Sequence, residues 1–240
     1  MLAEALAASW VAAFLVASRA LPPRLGSHLI GGMERWRDAW AIPTQLVLLP
    51  LLFALRGAVA DATFTYLFAL YMLLDFPLCN LGPMLVAHHV VCLVGHAITT
   101  TMLPAGFDTY FFGVVALEAG SGCMNVWLMD YASRWRTAFF AVGMSASNAA
   151  ALLAAWRWAM LPLPLVPKVV NLLISLPLIA LRQKAMLECV REGPEELRDG
   201  AAPAAKPGEG SVPPTPDTVR ALLWQRHDGG AASRKAAKAA

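Results

Sequence analysis

Charge is the scarcest property of this chain. Of its 240 residues, 58% are hydrophobic and only 15% are charged, against about 45 to 50% and about 25% in an ordinary soluble domain. That balance excludes an ordinary soluble globular protein. The little charge there is falls unevenly: residues 1–184 hold 11 Lys or Arg and 8 Asp or Glu, while residues 185–240 alone hold 8 of each. The net charge of +3 is small and its basic residues are scattered, so no basic patch points to nucleic acid. Cysteine is scarce as well. Cys79, Cys92, Cys123 and Cys189 stand in or beside apolar segments without paired or metal-like spacing, which argues against a disulfide framework or a zinc ribbon and for reduced packing residues. The sequence also has no repeat at solenoid period and no glycine-rich phosphate loop.

What is abundant is long apolar runs. A hydrocarbon core of about 30 Å needs about 20 mostly apolar residues to be crossed as a helix. Seven stretches qualify, approximately 3–21, 40–56, 62–80, 83–103, 109–130, 137–158 and 163–182. They are too long and too evenly apolar for barrel strands. The expected fold is therefore all-α, a polytopic membrane helical bundle of about seven spans, with six as the alternative. The seventh stretch carries Pro162, Pro164, Pro167 and Pro177, which would bend it or reduce it to a re-entrant piece. The first stretch resembles a signal peptide in position, but Glu4 replaces the basic start and the run continues to Arg19, so it is expected to be retained as a span.

Short cytoplasmic loops carry the excess of Lys and Arg. Placing Arg19, Arg24, Arg35, Arg37, Arg134, Arg136, Arg182 and Lys184 inside leaves only Arg56, Arg157 and Lys168 outside. The N-terminus is then lumenal and the C-terminus cytoplasmic. The sequence divides into a first span and loop (1–29), a transmembrane domain (30–184) and a tail (185–240) whose Ala, Pro, Gly and charge mixture cannot bury enough apolar surface to order itself. Val219, Leu222 and Leu223 recur there at helical spacing, open to a short interfacial helix or to an unstructured segment.

Ionisable residues within spans are costly and usually face the bundle interior. Here they are Asp75, His88, His89, His96, Glu118 and Lys168. Spans three and four are joined by the tight Asn80-Leu81-Gly82-Pro83 turn, and Asp75 lies as far from it as His88 and His89. In an antiparallel hairpin these residues share one depth, about 8 to 10 Å inside the cytoplasmic face, so an Asp–His contact is expected. The same argument levels His96 with Glu118, and His89 with Asn125. Glu118, Ser121 and Asn125 share one helix face, and Lys168, Asn171, Ser175 and Arg182 form a stripe on the last span. Such stripes could line a common hydrophilic cavity, or could glue helix contacts around small residues such as Gly113, Gly120, Gly122 and Gly143.

A carboxylate bound to one imidazole nitrogen fixes the tautomer and makes the other nitrogen a general base or an acyl-accepting nucleophile. That gives a candidate catalytic role to His88, His89 and Asp75, and a candidate substrate-binding role to His96, Glu118, Ser121, Asn125, Lys168 and Asn171; the alternatives are a polar lining that holds a lipid head group without chemistry, or an endomembrane cargo or assembly factor. Adjacent histidines diverge by about 100° on a helix, and the dense histidine clusters of membrane di-iron desaturases are missing, so no metal and no resident cofactor are expected. Membrane lipids and the bilayer would be the partners. A homo-oligomer is compatible with this and nucleic acid is not.

The run Tyr71-Met72-Leu73-Leu74-Asp75, followed by Ala87-His88-His89-Val90-Val91 and then Glu118, Asn125 and Trp127, resembles the TLC domain. That family includes the translocating-chain-associating protein, the ceramide synthases and the ceroid-lipofuscinosis membrane protein. Glu34-Arg35-Trp36-Arg37 is similar to the entry of that domain, and the likeness covers roughly residues 30–184. Ceramide synthases join an acyl group from acyl-CoA to a sphingoid base through paired histidines, which this resemblance matches to His88 and His89. They also carry a second His-Asp-x-x-Asp block, whereas the corresponding stretch here reads Leu117-Glu118-Ala119-Gly120-Ser121. The chain is more similar to the smaller TLC-domain proteins associated with membrane lipid homeostasis. The resemblance thus implies an endoplasmic reticulum or related endomembrane protein.

Overall fold

A computed structural model describes residues 1–22, 29–30, 33–79, 81, 83–130 and 133–192. The tail expected beyond residue 192, with Val219, Leu222 and Leu223, lies outside the described residues. Those residues form an all-α bundle. In chain order come α1 (Leu2–Ala20), a minimal antiparallel pairing of β1 (Leu29–Ile30) with β2 (Met33–Glu34), α2 (Arg35–Pro43), a π-helical turn (Thr44–Leu48) and α3 (Leu49–Leu55). These are followed by α4 (Ala58–Leu78), α5 (Pro83–Met102), a short 3-10 turn at Pro104–Gly106, α6 (Phe107–Met129), α7 (Arg134–Met160) and α8 (Leu165–Glu192).

Among the described residues six segments are long and apolar enough to cross a membrane: Leu2–Ala20, Trp36–Leu55, Ala58–Leu78, Pro104–Met129, Arg134–Met160 and Leu165–Arg191. The chain is an integral membrane protein on that ground. The remaining rod, α5, has 20 residues, a length of about 30 Å, and Val86–Met102 within it is apolar. The proline-rich last stretch, expected to bend or to be re-entrant, is one of the six. α8 runs unbroken for 28 residues and holds only Pro177 in its interior. Pro162 and Pro164 precede it, and Pro167 sits in its first turn, where backbone N–H groups have no helical partner to lose.

A proline shapes the second span. Pro50 stands at the start of α3, where its ring would clash with the carbonyl four residues back and it offers no N–H to that group. The wide turn just upstream, closed by the Leu49 N–H on the Thr44 carbonyl, relieves this.

The connection from α3 to α4 is the strained one. Arg56 has φ 25° and Gly57 φ 126°, both in the left-handed region. Arg56 is held there by its Nη2 donating to Asp108 Oδ1 at 2.5 Å and to Asp61 Oδ2 at 3.1 Å, with the guanidinium 5.3 Å from the Phe111 ring centre. Burial alone would lower the Arg56 pKa, and the two carboxylates more than offset it, raising the pKa above the usual arginine value. A Cβ at Gly57 would meet nothing within 4 Å, so Gly57→Ala pays in backbone strain alone. It should cost about 1 to 2 kcal/mol, read as a lower midpoint of thermal unfolding in detergent; an unchanged midpoint would mean that the turn relaxes.

Close approach between α6 and α7 depends on glycine. A Cβ at Gly120 would stand 2.8 Å from both Ser147 Cβ and Arg182 Nη2, and one at Gly143 would press on Cys123. Small residues let helices approach in lipid, where the bilayer removes the hydrophobic drive for association. The main apolar core joins Trp10 and Phe14 of α1, Trp36 of α2, Phe64, Leu67, Phe68 and Tyr71 of α4, and Phe111 of α6. Within it Phe64 stacks on Phe111 with centroids 3.7 Å apart. A second cluster packs Trp127 and Phe140 with Met144 and Met186. Only 6% of the apolar window of α8 is buried, so this helix is the most lipid-facing of the spans.

Candidate polar centre in the membrane

Tyr71 and Asp75 stand four apart on α4 and so share a face. Arg37, in the first turn of α2, lies over that face. Its Nε donates to Asp75 Oδ1 at 2.5 Å and its Nη2 to Oδ2 at 2.7 Å, a bidentate pair with Arg37 2% and Asp75 1% exposed. The guanidinium carbon is 4.3 Å from the Tyr71 ring centre. Position in the sequence made Arg37 a charge of the first cytoplasmic loop; the structure buries it inside the second span.

Asp75 Oδ2 also lies 2.9 Å from His89 Nε2, with His89 4% exposed. The expected Asp–His contact therefore forms, and of the two adjacent histidines it is His89 that makes it. The carboxylate is shared between a guanidinium and an imidazole, which holds the ring in one orientation. His88 is half-buried and turns elsewhere: its Nε2 is 3.6 Å from Cys92 Sγ, and its ring stands at 80° to that of His89.

A second group of polar residues surrounds Gln45, which the π-helical turn aims inward. Its Nε2 donates to Glu118 Oε2 at 2.6 Å and to Tyr71 Oη at 3.0 Å, and its Oε1 accepts from Asn125 Nδ2 at 2.9 Å. Every amide donor and acceptor of Gln45 is used. Gly122 allows this approach, since a Cβ there would stand 2.7 Å from Leu46 side-chain atoms and 3.1 Å from Gln45 Cβ. Tyr71 thus joins the Gln45 group to the Arg37–Asp75–His89 group.

The third group is Arg182 of α8. It donates to Ser121 Oγ at 3.2 Å, to the Leu117 carbonyl at 2.9 Å and to Asn148 Oδ1 at 3.3 Å, and Asn148 in turn donates to Gln183. The other expected members stand apart. His96 makes its two ring contacts with Tyr110 Oη and the Thr65 carbonyl, each at 3.0 Å, not with Glu118. Asn171 accepts from Ser175 within α8. Lys168, in the first turn of α8, is about 20 Å along the helix axis from Arg182. Asp75, His89, Glu118 and Asn125 are thus gathered into one polar centre with Gln45, Arg37 and Tyr71, none of which the sequence reading placed at the site. Ser121 and Asn148 belong to the Arg182 group, and Lys168 and Asn171 join neither.

Among the described residues no three His, Cys, Asp or Glu side chains come together as a metal-ligand set. A cleft of about 440 Å³ between α1 and α4 is lined by Ala8, Val11, Leu15, Tyr66 and Leu70 among others; its lining shares no residue with the polar centre. Comparisons with family models, curated proteins and solved structures find no match for this chain.

Proposed function

We propose that this protein acts in membrane lipid homeostasis by transferring an acyl group from acyl-CoA to a lipid acceptor at the Asp75–His89 pair. The observation that carries the reading is the 2.9 Å contact between a buried carboxylate and a buried imidazole, placed within apolar helices where such groups are costly and are kept for specific work. In this reading His89 takes the proton of the acceptor hydroxyl or amine as that group attacks the acyl carbon. Asp75 holds the imidazole through Nε2, Arg37 fixes Asp75, and Glu118, Ser121 and Asn125 form the polar wall beside which the head group sits. The likeness of the Asp75, His88-His89 and Glu118/Asn125 pattern to the TLC domain supports the same assignment. An endoplasmic reticulum or related endomembrane setting, with a cytoplasmic C-terminus, follows from that likeness and from the Lys and Arg distribution.

The complete internal pairing of Gln45 favours a second reading, a lipid-binding or regulatory protein whose polar centre is structural. The two separate in one assay. Membranes holding wild type, His89→Gln or His88→Ala/His89→Ala are given acyl-CoA with a labelled acyl group and mixed sphingoid and lysophospholipid acceptors. Acyl transfer requires labelled lipid that falls on the order of a hundredfold in His89→Gln at equal expression and unchanged unfolding temperature. Equal labelling in all three, with acceptors shown to enter the membranes, leaves the binding role.

A further inference from the structure

We propose that Cys92 and His88 form a thiol–imidazole dyad that carries the acyl group as a thioester between donor and acceptor. This rests on the acyl-transfer reading and extends it with a nucleophile. The two residues stand four apart on α5 and so meet on one face: Cys92 Sγ lies against the His88 ring, 3.6 Å from Nε2 and 3.9 Å from Nδ1, and a turn of the imidazole about its Cβ–Cγ bond aims one nitrogen at the thiol. Both are half-buried, whereas His89 is 4% exposed. The adjacent imidazoles therefore serve different atoms, His89 a carboxylate and His88 a sulfur. The other cysteines have different surroundings. Cys79 donates to Asp75 Oδ1 at 3.6 Å, Cys123 is wedged against Gly143, and Cys189 packs on the cluster around Trp127 and Met186.

A thiol is nucleophilic once its proton is taken by a neighbouring base. Within the bilayer a neutral thiol beside a neutral imidazole needs no standing charge, and the charged pair forms only while an acyl carbon is being attacked. The Cys92 proton passes to His88 as Sγ adds to the thioester carbonyl of acyl-CoA. The carbon–sulfur bond to CoA then breaks, and CoA leaves as a thiol with the proton returned by His88. One thioester replaces another, so no oxidant and no energy source are needed. In the second half the acceptor hydroxyl or amine gives its proton to His89 and attacks the Cys92 thioester. Cys92 leaves as thiolate and is reprotonated by the proton held on His89.

The test uses purified full-length protein in phosphatidylcholine nanodiscs, alkyne-tagged palmitoyl-CoA as the probe, and a lysophospholipid and a sphingoid base as acceptors. Without acceptor, wild type should take up label that neutral hydroxylamine releases and that maps to the Cys92 peptide; adding the acceptor that is used should discharge it into lipid. Cys92→Ala and the near-isosteric Cys92→Ser should lose both label and lipid product. Cys123→Ala and Cys189→Ala should keep both, and His88→Ala should slow labelling on the order of a hundredfold. Label on other residues only, or lipid product formed at the wild-type rate by Cys92→Ala, overturns the dyad while leaving His89 as the base of a direct transfer. A folded wild type that yields neither label nor product overturns acyl transfer itself, and the dyad with it.

Discussion

Arg37→Met is expected to lower the stability of the folded bundle by about 3 to 5 kcal/mol, the usual cost of removing one partner from a buried ion pair. Arg37 and Asp75 are almost wholly enclosed and joined by two short charge-assisted bonds. Methionine fills similar space but, among the described residues, leaves the carboxylate with its His89 and Cys79 contacts. In hydrocarbon such a charge has no water to fall back on. The double variant Arg37→Met/Asp75→Asn should recover most of the loss, because the uncompensated charge is then gone. Unfolding in mixed micelles, followed for wild type, both single variants and the double, gives the coupling directly. Additive losses would mean that the pair contributes nothing beyond its separate packing.

The second large effect is expected at Gln45→Leu. Leucine cannot supply the donors used by Glu118 and Tyr71, nor the acceptor used by Asn125, so three buried polar groups on α4 and α6 lose a partner together. A lost bond to a carboxylate is worth about 1.5 to 3 kcal/mol, and each unsatisfied buried group adds about 1 to 3 kcal/mol, so a total of about 3 kcal/mol or more is expected. Gln45→Glu, in contrast, keeps the shape while placing a second carboxyl against Glu118, and should destabilise through like charge instead. Comparing the unfolding midpoints of the two variants with wild type checks this. A Gln45→Leu chain as stable as wild type would show that the network is not a structural unit.

The spans and the Asp75–His89 contact were legible because both depend on quantities that a sequence carries directly. Apolar length sets the spans, and equal distance from a tight turn sets equal depth. Depth is only one coordinate, however. His96 and Glu118 were levelled by the same reasoning, yet α5 turns His96 toward Thr65 and Tyr110, and rotation about the helix axis does not follow from distance to a turn. Arg37 was read by its place at the edge of an apolar run, where arginine ordinarily meets water; its burial depends on an acid 38 positions away. Gln45 carries no charge and interrupts a span with a single amide, so nothing local marks it. The Lys168 to Arg182 stripe followed from spacing alone. Among the described residues its Arg182 hydrogen-bonds the neighbouring helices, whereas Ser175 and Asn171 bond to each other within α8.

The wide turn at Thr44–Leu48 sets the phase of the span it interrupts. A regular helix advances about 100° per residue, so one residue accommodated in a wider turn rotates everything downstream relative to everything upstream. Arg37 and Gln45 before or within the turn, and Leu49 and Leu52 after it, all point inward. The span therefore behaves as two rotors on one axle, each timed to different neighbours. Changes in length on either side of that turn would rotate one half toward lipid and leave the other half in place.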